Sequence, residues 1–497
     1  MKRFIILALA YIFFLEGKAQ TVNPGENEIY REGEIAIVKI TMNPTDKAFM
    51  LDEANIWSDV YLPAQFRFIN SLMDTTLSFN VGIRLRGNTS RSHPKKSFKL
   101  KFKEFGGEKF YDLKKFNLKA ENNDPSMIRE LMTLQTFRKA NAPAARSHHA
   151  EVYINDEYMG LYLNVEQIDD EFVQARFFYD EGNLYKCSWG ATLTTENAIY
   201  DNNLFELEIN EDINDRSGLA NFIQVLNNTP DADFEEAIES VFNVTSYLRV
   251  LAVEALTGHW DGYSFNQNNF YLYENNATGL IEFIPYDVDN TFGMDWVDRD
   301  WATRDVLDWP KHGEPRPLTK RILGRERYFY LYKAKLDALL NGDFSEAYFY
   351  PVFDSFKSML DNSVLRDTYF PLTFGFTYTD FQSSYTEQVV DHAPYGLKPY
   401  VYTRTTTARD QVGEILGLET LEKGSVEVYP NPVSGGEFSI IVDRPLKLTR
   451  IIDAMGRVYS FKVEQRSSFI YKIEMDAPAG LYFLNIGESV HKILIED

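Results

Sequence analysis

The chain has 497 residues, of which 44% are hydrophobic and 15% aromatic, and its formal net charge is −22. This composition can fill a large core and excludes a mainly disordered chain, and the length predicts about three or four domains. The acidic balance argues against nonspecific nucleic-acid binding, which needs a basic surface. Cys187 is the only cysteine, so no intrachain disulfide can form, and we expect it to be a small buried apolar side chain.

The N-terminus predicts a signal peptide over residues 1–19. Two basic residues precede an apolar run of 12 residues, 4–15, and small residues precede a cleavage site before Gln20. A membrane span needs about 20 apolar residues. We therefore expect this segment to be removed rather than to anchor the chain, and we expect no transmembrane segment in the mature protein.

The first half of the mature chain predicts strands broken by turns. Residues 34–42 alternate between apolar and polar side chains, as a half-buried strand does. Residues 81–87 and 96–102 alternate as regularly on either side of a basic, turn-rich loop, which predicts a β-loop-β unit. Residues 151–168 predict a hairpin with an Asn-Asp turn at Asn155.

Helices are predicted between and after these strands. Asp124 and Pro125 predict the start of a helix, because aspartate caps a helix and proline suits its first position. Residues 244–256 also predict a helix, 269–285 predict a second hairpin, and 320–415 predict mainly helices. The chain therefore predicts an α+β domain over residues 20–416.

The composition changes near residue 417. From residue 425 onward, short alternating strands are separated by glycine, proline and Asn-Pro turns. Regular short strands over about 70 residues are typical of a small β-sandwich. We predict a linker over 417–424 and a C-terminal all-β sandwich over 425–497.

The β-loop-β unit concentrates positive charge in an acidic protein. One interpretation is a solvated strand face; the other is a clamp for phosphate, since lysine supplies point charge and arginine supplies bidentate geometry. Its basic residues are Arg84, Arg86, Arg91, Lys95, Lys96, Lys99, Lys101 and Lys103.

Asp261 is the first candidate for catalysis. It follows an apolar helical segment, and Asn266, Asn268 and Asn269 come shortly after it. Aspartate at such a corner can simply form a turn. Alternatively, it is a base that orients or deprotonates a substrate hydroxyl, and a nearby amide oxygen coordinates magnesium.

Asp287 and Asp289 form a second acidic motif. They lie two positions apart after an apolar run, so they share one side if the strand continues. Two like charges on one face are costly without a cation, so a metal is the simplest way to hold them. The alternative is that Asp289 begins a loop and caps it.

Taken together, these segments resemble the CotH kinase family, which includes spore-coat protein kinases and is similar to atypical, secretory-type protein kinases. The resemblance runs from about residue 35 to 400. It implies a two-lobed, atypical protein-kinase-like fold, with an N-lobe-like part over 35–168 and a C-lobe-like part over 169–416. The matching segments are GIRLRGNTSRSHPKKSFKLKF (82–102), the helix start at Asp124, YMGLYLNVEQID (158–169), residues 261–269 and PYDVDNTFG (285–293).

The resemblance implies a nucleotide site built on the basic unit. Lys96, with Lys95 as the competing choice, would bind nucleotide phosphates together with Arg86, and Glu130 would be the ion-pair partner of that lysine. Glu166 would lie where the strand joining the two lobes meets adenine. The family of protein kinases usually has a glycine-rich GxGxxG loop; this chain has none, so the loop 87–94 would cover the phosphates.

The resemblance also implies the catalytic and metal residues. Asp261 would be the catalytic aspartate, although HWD stands where protein kinases have HRD. Asn268 or Asn269 would be the metal-binding amide. Asp287 or Asp289 would chelate magnesium, with DNTFG as a loose analogue of DFG.

The tail resembles the C-terminal sorting domain of type IX secretion. The matching segments are VYPNPVSGGEFSI (428–440), IIDAMGRVY (451–459) and the ending of the chain from 478. The resemblance implies the type IX secretion machinery as a partner. It also implies a secreted or cell-surface location, reached through the periplasm and the outer membrane.

The function expected from these resemblances is transfer of phosphate from ATP, with Mg²⁺, to hydroxyl side chains of a surface or secreted protein substrate. Two alternatives remain open. The same nucleotide site would also allow transfer of AMP, and a non-catalytic surface or adhesion protein would keep the fold without the chemistry.

Overall fold

The structure is a computed structural model, and it describes most of the chain. The predicted signal peptide, 1–19, and the predicted linker, 417–424, lie outside the described residues. The described ranges are 23–73, 77–194, 199–413 and 426–496, the last with gaps at 430, 432, 435, 443–447, 454, 466–469 and 487–488.

The chain divides into two compact units. The first comprises Met1–Arg321 and Leu336–Gln411, and the second comprises Ile322–Lys335 and Val412–Asp497. The first unit mixes helices and sheets, in agreement with the predicted α+β class. Its division into kinase-like lobes stays a prediction.

A closed barrel opens the first unit. Its strand order is β1-β2-β3-β4-β5-β7-β6; neighbours are antiparallel, and parallel pairing of β1 with β6 closes it. Alternation directs Phe98, Leu100 and Phe102 into the barrel. The predicted β-loop-β unit is confirmed, because Ile83 pairs with Leu100. The strands are β1 (Ala36–Met42), β2 (Leu62–Ile69), β3 (Phe79–Leu85), β4 (Phe98–Phe102), β5 (Lys115–Lys119), β6 (Ser147–Ile154) and β7 (Glu157–Val165).

The predicted hairpin between β6 and β7 is also confirmed. Asn155 and Asp156 form its turn with φ values of 53° and 63°. Positive φ at both turn residues matches the right-handed twist of the two strands, and asparagine and aspartate tolerate it better than most residues.

A second, four-stranded antiparallel sheet follows, with the order β11-β10-β8-β9. The predicted hairpin over 269–285 is its β10–β11 pair. Cys187 ends β8 and is buried, as expected. The strands are β8 (Leu184–Cys187), β9 (Phe205–Ile209), β10 (Phe270–Asn275) and β11 (Leu280–Pro285).

Helices dominate the region after β11, as predicted for 320–415. Among the described residues, no helix combines the length and the hydropathy needed to cross a membrane. The helices are α1 (Pro44–Leu51), α2 (Arg129–Lys139), α3 (Asp170–Phe177), α4 (Ser217–Asn228), α5 (Phe234–Glu239), α6 (Val244–Thr257), α7 (Tyr263–Asn266), α8 (Pro317–Leu323), α9 (Glu326–Leu340), α10 (Glu346–Arg366), α11 (Tyr378–Ser383) and α12 (Leu397–Val412).

The helix predicted after Asp124 begins later than expected. It starts at Arg129, and Pro125 is not its first residue. The Asp124 carboxylate instead accepts backbone N–H groups from Ser126, Ile128 and Arg129. Asp124 therefore satisfies the helix N-terminus across an extra turn rather than from the adjacent capping position.

The second unit contains all-β sheets, as predicted for the tail. One sheet has the order β12-β14-β18-β17 and the other β13-β20-β19-β15-β16. Buried residues from both, such as Ile440 and Leu484, share one core. The strands are β12 (Val426–Tyr429), β13 (Val433–Ser434), β14 (Glu437–Val442), β15 (Leu448–Asp453), β16 (Val458–Tyr459), β17 (Phe461–Gln465), β18 (Ile470–Met475), β19 (Gly480–Ile486) and β20 (Ser489–Glu496).

Candidate active site

A cavity of about 640 Å³ lies in the first unit, between barrel strands β3–β5 and the sheet β8–β11. Its lining is charged and polar rather than apolar, which suits a charged ligand. The charged and amide side chains include Arg84, Arg86, Lys99, Lys119, Glu121, Lys186, Glu208, Asp261, Asn268, Asn269, Asp287, Asp289 and Asn290.

Most of the predicted site residues meet in this cavity, although they come from distant parts of the chain. The catalytic, amide and acidic candidates approach from the β10–β11 side, and the arginine approaches from the end of β3. The predicted residues that line the cavity are Arg86, Asp261, Asn268, Asn269, Asp287 and Asp289.

Lys95 and Lys96 do not line the cavity, so their contact with nucleotide phosphates stays a prediction without support from this geometry. Lys95 is 2% exposed, and its ammonium donates to the Leu161 carbonyl and the Asp367 carboxylate, both at 2.7 Å. Lys96 donates to the Arg91 carbonyl at 2.6 Å. Both lysines precede β4 and hold the barrel and its loop together.

Glu166 is likewise directed away from the cavity. Its carboxylate accepts hydrogen bonds from the guanidinium groups of Arg146 and Arg176, each at 2.6 Å. Burial by itself would raise the pKa of Glu166, but these two positive charges lower it to about 2. The next residue, Gln167, lines the cavity instead. The Glu166 carboxylate therefore belongs to a structural ion cluster and does not line the cavity, and its contact with adenine stays a prediction.

Lys119, at the end of β5, is the lysine that the structure brings to the acidic motif. Its ammonium forms an ion pair with Glu130 of α2, donates to Asp287 at 2.5 Å and lies 3.9 Å from Asp289. Burial would lower the pKa of Lys119, but the charges of Asp287, Glu130 and Asp289 raise it well above its ordinary value. Glu130 is thus the partner of a lysine, as predicted, but of Lys119 rather than Lys96.

Asp287 and Asp289 respond differently to this lysine. Both are open to the cavity, with side chains 36% and 26% exposed. Withdrawal from bulk water favours the neutral form of each carboxyl. The charge of Lys119 outweighs that effect at Asp287 and lowers its pKa, whereas burial and the charge of Asp287 raise the pKa of Asp289 well above its ordinary value.

Asp261 is held by neutral amides. One of its oxygens accepts from Asn266 and, at 3.5 Å, from Asn268. The other accepts from Asn269 at 3.0 Å and from Asn290 at 3.3 Å. Burial is the main cause that raises the pKa of Asp261, to about 6, and these amide hydrogen bonds oppose it. Asp261 can therefore exchange a proton near neutral pH.

Asn290 joins the two acidic elements. Its amide N–H₂ donates to Asp261 and, at 3.1 Å, to Asp289. The indole N–H of Trp296 donates to the Asn290 oxygen at 3.0 Å, which fixes the direction of the amide. The Trp296 ring in turn stacks on His392, with centroids 4.3 Å apart. This support orients the carboxylates of Asp261 and Asp289 together.

Non-glycine residues with positive φ recur around the cavity. Glu121, Asn269 and Asp287 have φ values of 49°, 54° and 52°. Such conformations cost of order 1–3 kcal/mol each for strained cases and persist where the surroundings fix them. Their concentration in the cavity lining supports a functional role for this region.

The donor set of the cavity fits a magnesium ion. Carboxylate and amide oxygens are its preferred ligands, and magnesium usually shares them with phosphate. The amides of Asn268 and Asn269 direct their N–H₂ groups to Asp261. Within the described residues, three carboxylates converge on one point only at Asp169, Asp170 and Glu171, outside this cavity. A metal in the cavity would thus need amide and phosphate oxygens as well as carboxylates.

Lys119, Glu130 and Asp261 all lie in the region of this chain that matches known proteins. The model of the family described as CotH kinase protein matches residues 83–405, more than half of the chain. The chain belongs to this CotH family.

Three relatives illustrate the range of the family. Inner spore coat protein H of Bacillus subtilis (strain 168) is 25% identical over 343 residues, which is 68% of this chain and 90% of that protein. Spore coat protein homolog 1 of Rhizopus delemar is 25% identical over 221 residues, 42% of this chain and 35% of that protein. Invasin CotH7 of the same fungus is 26% identical over 208 residues, 39% of this chain and 34% of that protein. The chain spans about a third of the length of these two fungal relatives.

Lys119, Glu121 and Asn290 were missed by sequence reasoning. Residues 115–119 alternate over too few positions to stand out, although they form the last strand before the helix that carries Glu130. The position of this strand directly before the helix with Glu130 was the feature of the sequence that could have identified Lys119. Glu121 lies in a polar turn, and Asn290 lies between two conspicuous motif residues, so neither had a signal of its own.

Proposed function

We propose that this chain is an ATP-dependent protein kinase that phosphorylates hydroxyl side chains of a surface or secreted protein. The observation that carries the proposal is the environment of Asp261. Its carboxylate is held only by amides in the described structure, has a pKa raised to about 6 and lines the same cavity as Lys119, Asp287 and Asp289. Family membership supports the same chemistry, since the matching family is described as CotH kinase protein.

Asp261 would act on the acceptor hydroxyl. It would orient the hydroxyl and take its proton as the new bond forms between the hydroxyl oxygen and the γ-phosphorus of ATP. The bond from that phosphorus to the bridging oxygen breaks at the same time, and ADP leaves with the bonding electrons. A base with a pKa close to the working pH suits this proton transfer.

The rest of the cavity would position the nucleotide. Lys119 supplies point charge and Arg86 supplies planar donors for phosphate oxygens. A magnesium ion held by Asp287 or Asp289 with an amide oxygen of Asn268 or Asn269 would neutralise negative charge on the phosphates. Positioning and electrostatics of this kind supply most of the catalysis in phosphoryl transfer.

Labelled ATP tests the proposal. We expect the mature chain with Mg²⁺ to transfer γ-label to protein, and Asp261→Asn to reduce the rate by about 10²–10⁴-fold, the usual contribution of a general base. Glu282→Gln is the matched control, because Glu282 is also buried, is held by an asparagine amide and has a pKa raised to about 7, but lies outside the cavity.

The control should keep wild-type activity. Transfer of α-label instead of γ-label would replace the kinase proposal with AMP transfer. The absence of any nucleotide binding would contradict both enzymatic functions and favour a non-catalytic surface protein. The relative named Invasin CotH7 is the observation that supports this second candidate.

We also propose that the protein is exported to the cell surface by type IX secretion. The names of the relatives, spore coat protein and invasin, support a surface location, and the described C-terminal sheets coincide with the segment that resembles a sorting domain. Deletion of residues 425–497 should retain the protein in the periplasm. Export of the shortened chain at the normal level would contradict this route.

A further inference from the structure

We propose that Glu121 is an additional ligand for the divalent cation of this site, contributed from the barrel side of the cavity. The inference rests on the proposed function and deepens it. It assigns a metal-binding role to a residue outside the four acidic and amide residues predicted from the sequence, and it places that residue on a different structural element.

The environment of Glu121 carries the inference. The residue is only 7% exposed and lines the cavity. Neither of its carboxylate oxygens has a hydrogen-bond partner in the part of the chain that the structure describes. Buried polar groups are nearly always paired, and a buried unpaired carboxylate is among the most costly exceptions. A ligand that enters the cavity is the simplest partner for it.

The basic side chains near Glu121 already form ion pairs with other carboxylates. Lys119, two residues before Glu121, is shared by Glu130 and Asp287. Arg129, at the start of α2, pairs with Asp124. Glu121 therefore lacks a cation of its own, which a divalent metal would supply.

The local charge around Lys119 points in the same direction. When all are ionised, five carboxylates face two cations at this end of the cavity, so the local balance stays negative after every ion pair is formed. The carboxylates are those of Glu121, Glu130, Asp261, Asp287 and Asp289, and the cations are Lys119 and Arg86. ATP adds further negative charge, so its binding here requires a cation.

The backbone at Glu121 is also unusual. Its φ of 49° is in the left-handed region, and its carbonyl accepts the N–H of Asp124 at 3.2 Å. This turn joins β5 to the start of α2, and Asn122 and Asn123 of the same turn line the cavity. The metal would therefore connect the turn after β5 with the acidic motif after β11.

Manganese binding tests the assignment without any need for catalysis. We would titrate the full mature chain with Mn²⁺, alone and with ADP, and follow free Mn²⁺ by electron paramagnetic resonance. Glu121→Gln keeps the shape and removes the charge, and we expect it to weaken Mn²⁺ binding by roughly tenfold or more, since removal of even an indirect metal contact costs 10–100-fold. Glu282→Gln, a buried carboxylate outside the cavity, should bind as the wild type does.

Thermal unfolding in EDTA separates a binding role from a packing role. Without metal, Glu121→Gln should melt at or above the wild-type temperature, because an unpaired buried charge is removed, and added Mg²⁺ with ADP should raise its Tm less than it raises that of the wild type. A lower Tm in EDTA would overturn the inference in favour of packing.

The outcomes distinguish this inference from the proposed function. Wild-type Mn²⁺ affinity in Glu121→Gln overturns the role of Glu121 and leaves the kinase proposal intact. If the wild-type chain itself binds neither Mn²⁺ nor Mn²⁺ with ADP, both proposals fall.

Discussion

Two regions of the first unit bury charge in opposite ways. At the barrel, Glu166 is matched by Arg146 and Arg176, and Lys95 is matched by Asp367. In the cavity, Asp261 has only amides for partners among the described residues, and around Lys119 the acidic side chains outnumber the basic ones. The first arrangement is complete within the protein; under the proposals made above, a cation and a nucleotide would complete the second.

The difference shows why a buried charge alone did not identify the site. Burial raises the pKa of the half-buried Asp261 to about 6, whereas the arginine partners of the buried Glu166 overcome burial and lower its pKa to about 2. A carboxylate paired with a cation stabilises the fold, and a carboxylate without a cation partner is a candidate for chemistry. Variants in the two regions should therefore change stability in opposite directions.

The largest effect is expected at Lys95. In Lys95→Met the carboxylate of Asp367, which is 1% exposed, loses its cation. Breaking one partner of a buried pair typically costs about 3–5 kcal/mol, so the free energy of unfolding in urea should fall by that amount. The double variant Lys95→Met with Asp367→Asn should recover part of the loss, because no buried charge then lacks a partner. A loss below about 1 kcal/mol in the single variant would show that the ion pair of Lys95 with Asp367 does not stabilise the barrel.

Glu166→Gln should cost slightly less and depend on pH. The pKa of Glu166 is lowered from 4.5 to about 2, so its ionised form stabilises the fold. The shift corresponds to about 3 kcal/mol. This contribution is present above pH 4.5 and is lost as the pH falls through 2. Urea unfolding of both proteins at pH 7 and at acidic pH should show the difference shrink, and a difference independent of pH would contradict the assigned ion cluster.

Asp289→Asn should have the smallest effect and the opposite sign. The pKa of Asp289 is raised above 3.8 in the folded protein by burial and by the charges of Asp287 and Glu130. Ionisation of Asp289 therefore lowers the free energy of unfolding, and this loss appears as the pH rises above 3.8. In EDTA at neutral pH, the asparagine variant should gain about 1 kcal/mol of stability while it loses label transfer, the usual trade-off at an active site. If Asp289→Asn instead lowers stability in EDTA, then Asp289 stabilises the fold as the paired charges of the barrel do, and this prediction is wrong.

Some of the site was predictable because its residues are close in sequence. Asp261 and its asparagines lie within nine positions, and Asp287 and Asp289 lie two apart at the end of a clear strand. Alternation likewise located β3 and β4 and the Asn155 turn. In each case the signal is local, since the period of a strand or the chemistry of a turn acts over a few residues.

Which lysine contacts the acidic motif could not be predicted from neighbouring residues in the sequence. Eight basic residues of the β-loop-β unit drew attention to Lys95 and Lys96, yet Lys119 is the lysine that reaches Glu130 and Asp287. Only closure of the barrel through β1 and β6 and the packing of α2 decide which strand end faces the acidic motif. The role proposed for Glu121 also depends on the tertiary structure. Nothing in the sequence distinguishes Glu121 from other glutamates; only the fold leaves its carboxylate buried without a hydrogen-bond partner in the described part of the chain.

The sequence by itself determined the regularly alternating strands, the hairpins, most helices, the acidic motif and the candidate base, because periodicity, turn chemistry and motif spacing are encoded over short stretches. The tertiary structure alone decided which charges are paired. Some of these pairs join residues more than 150 positions apart, as between Lys119 and Asp287. Their strength depends on burial, because water screens exposed charges far more strongly than buried ones.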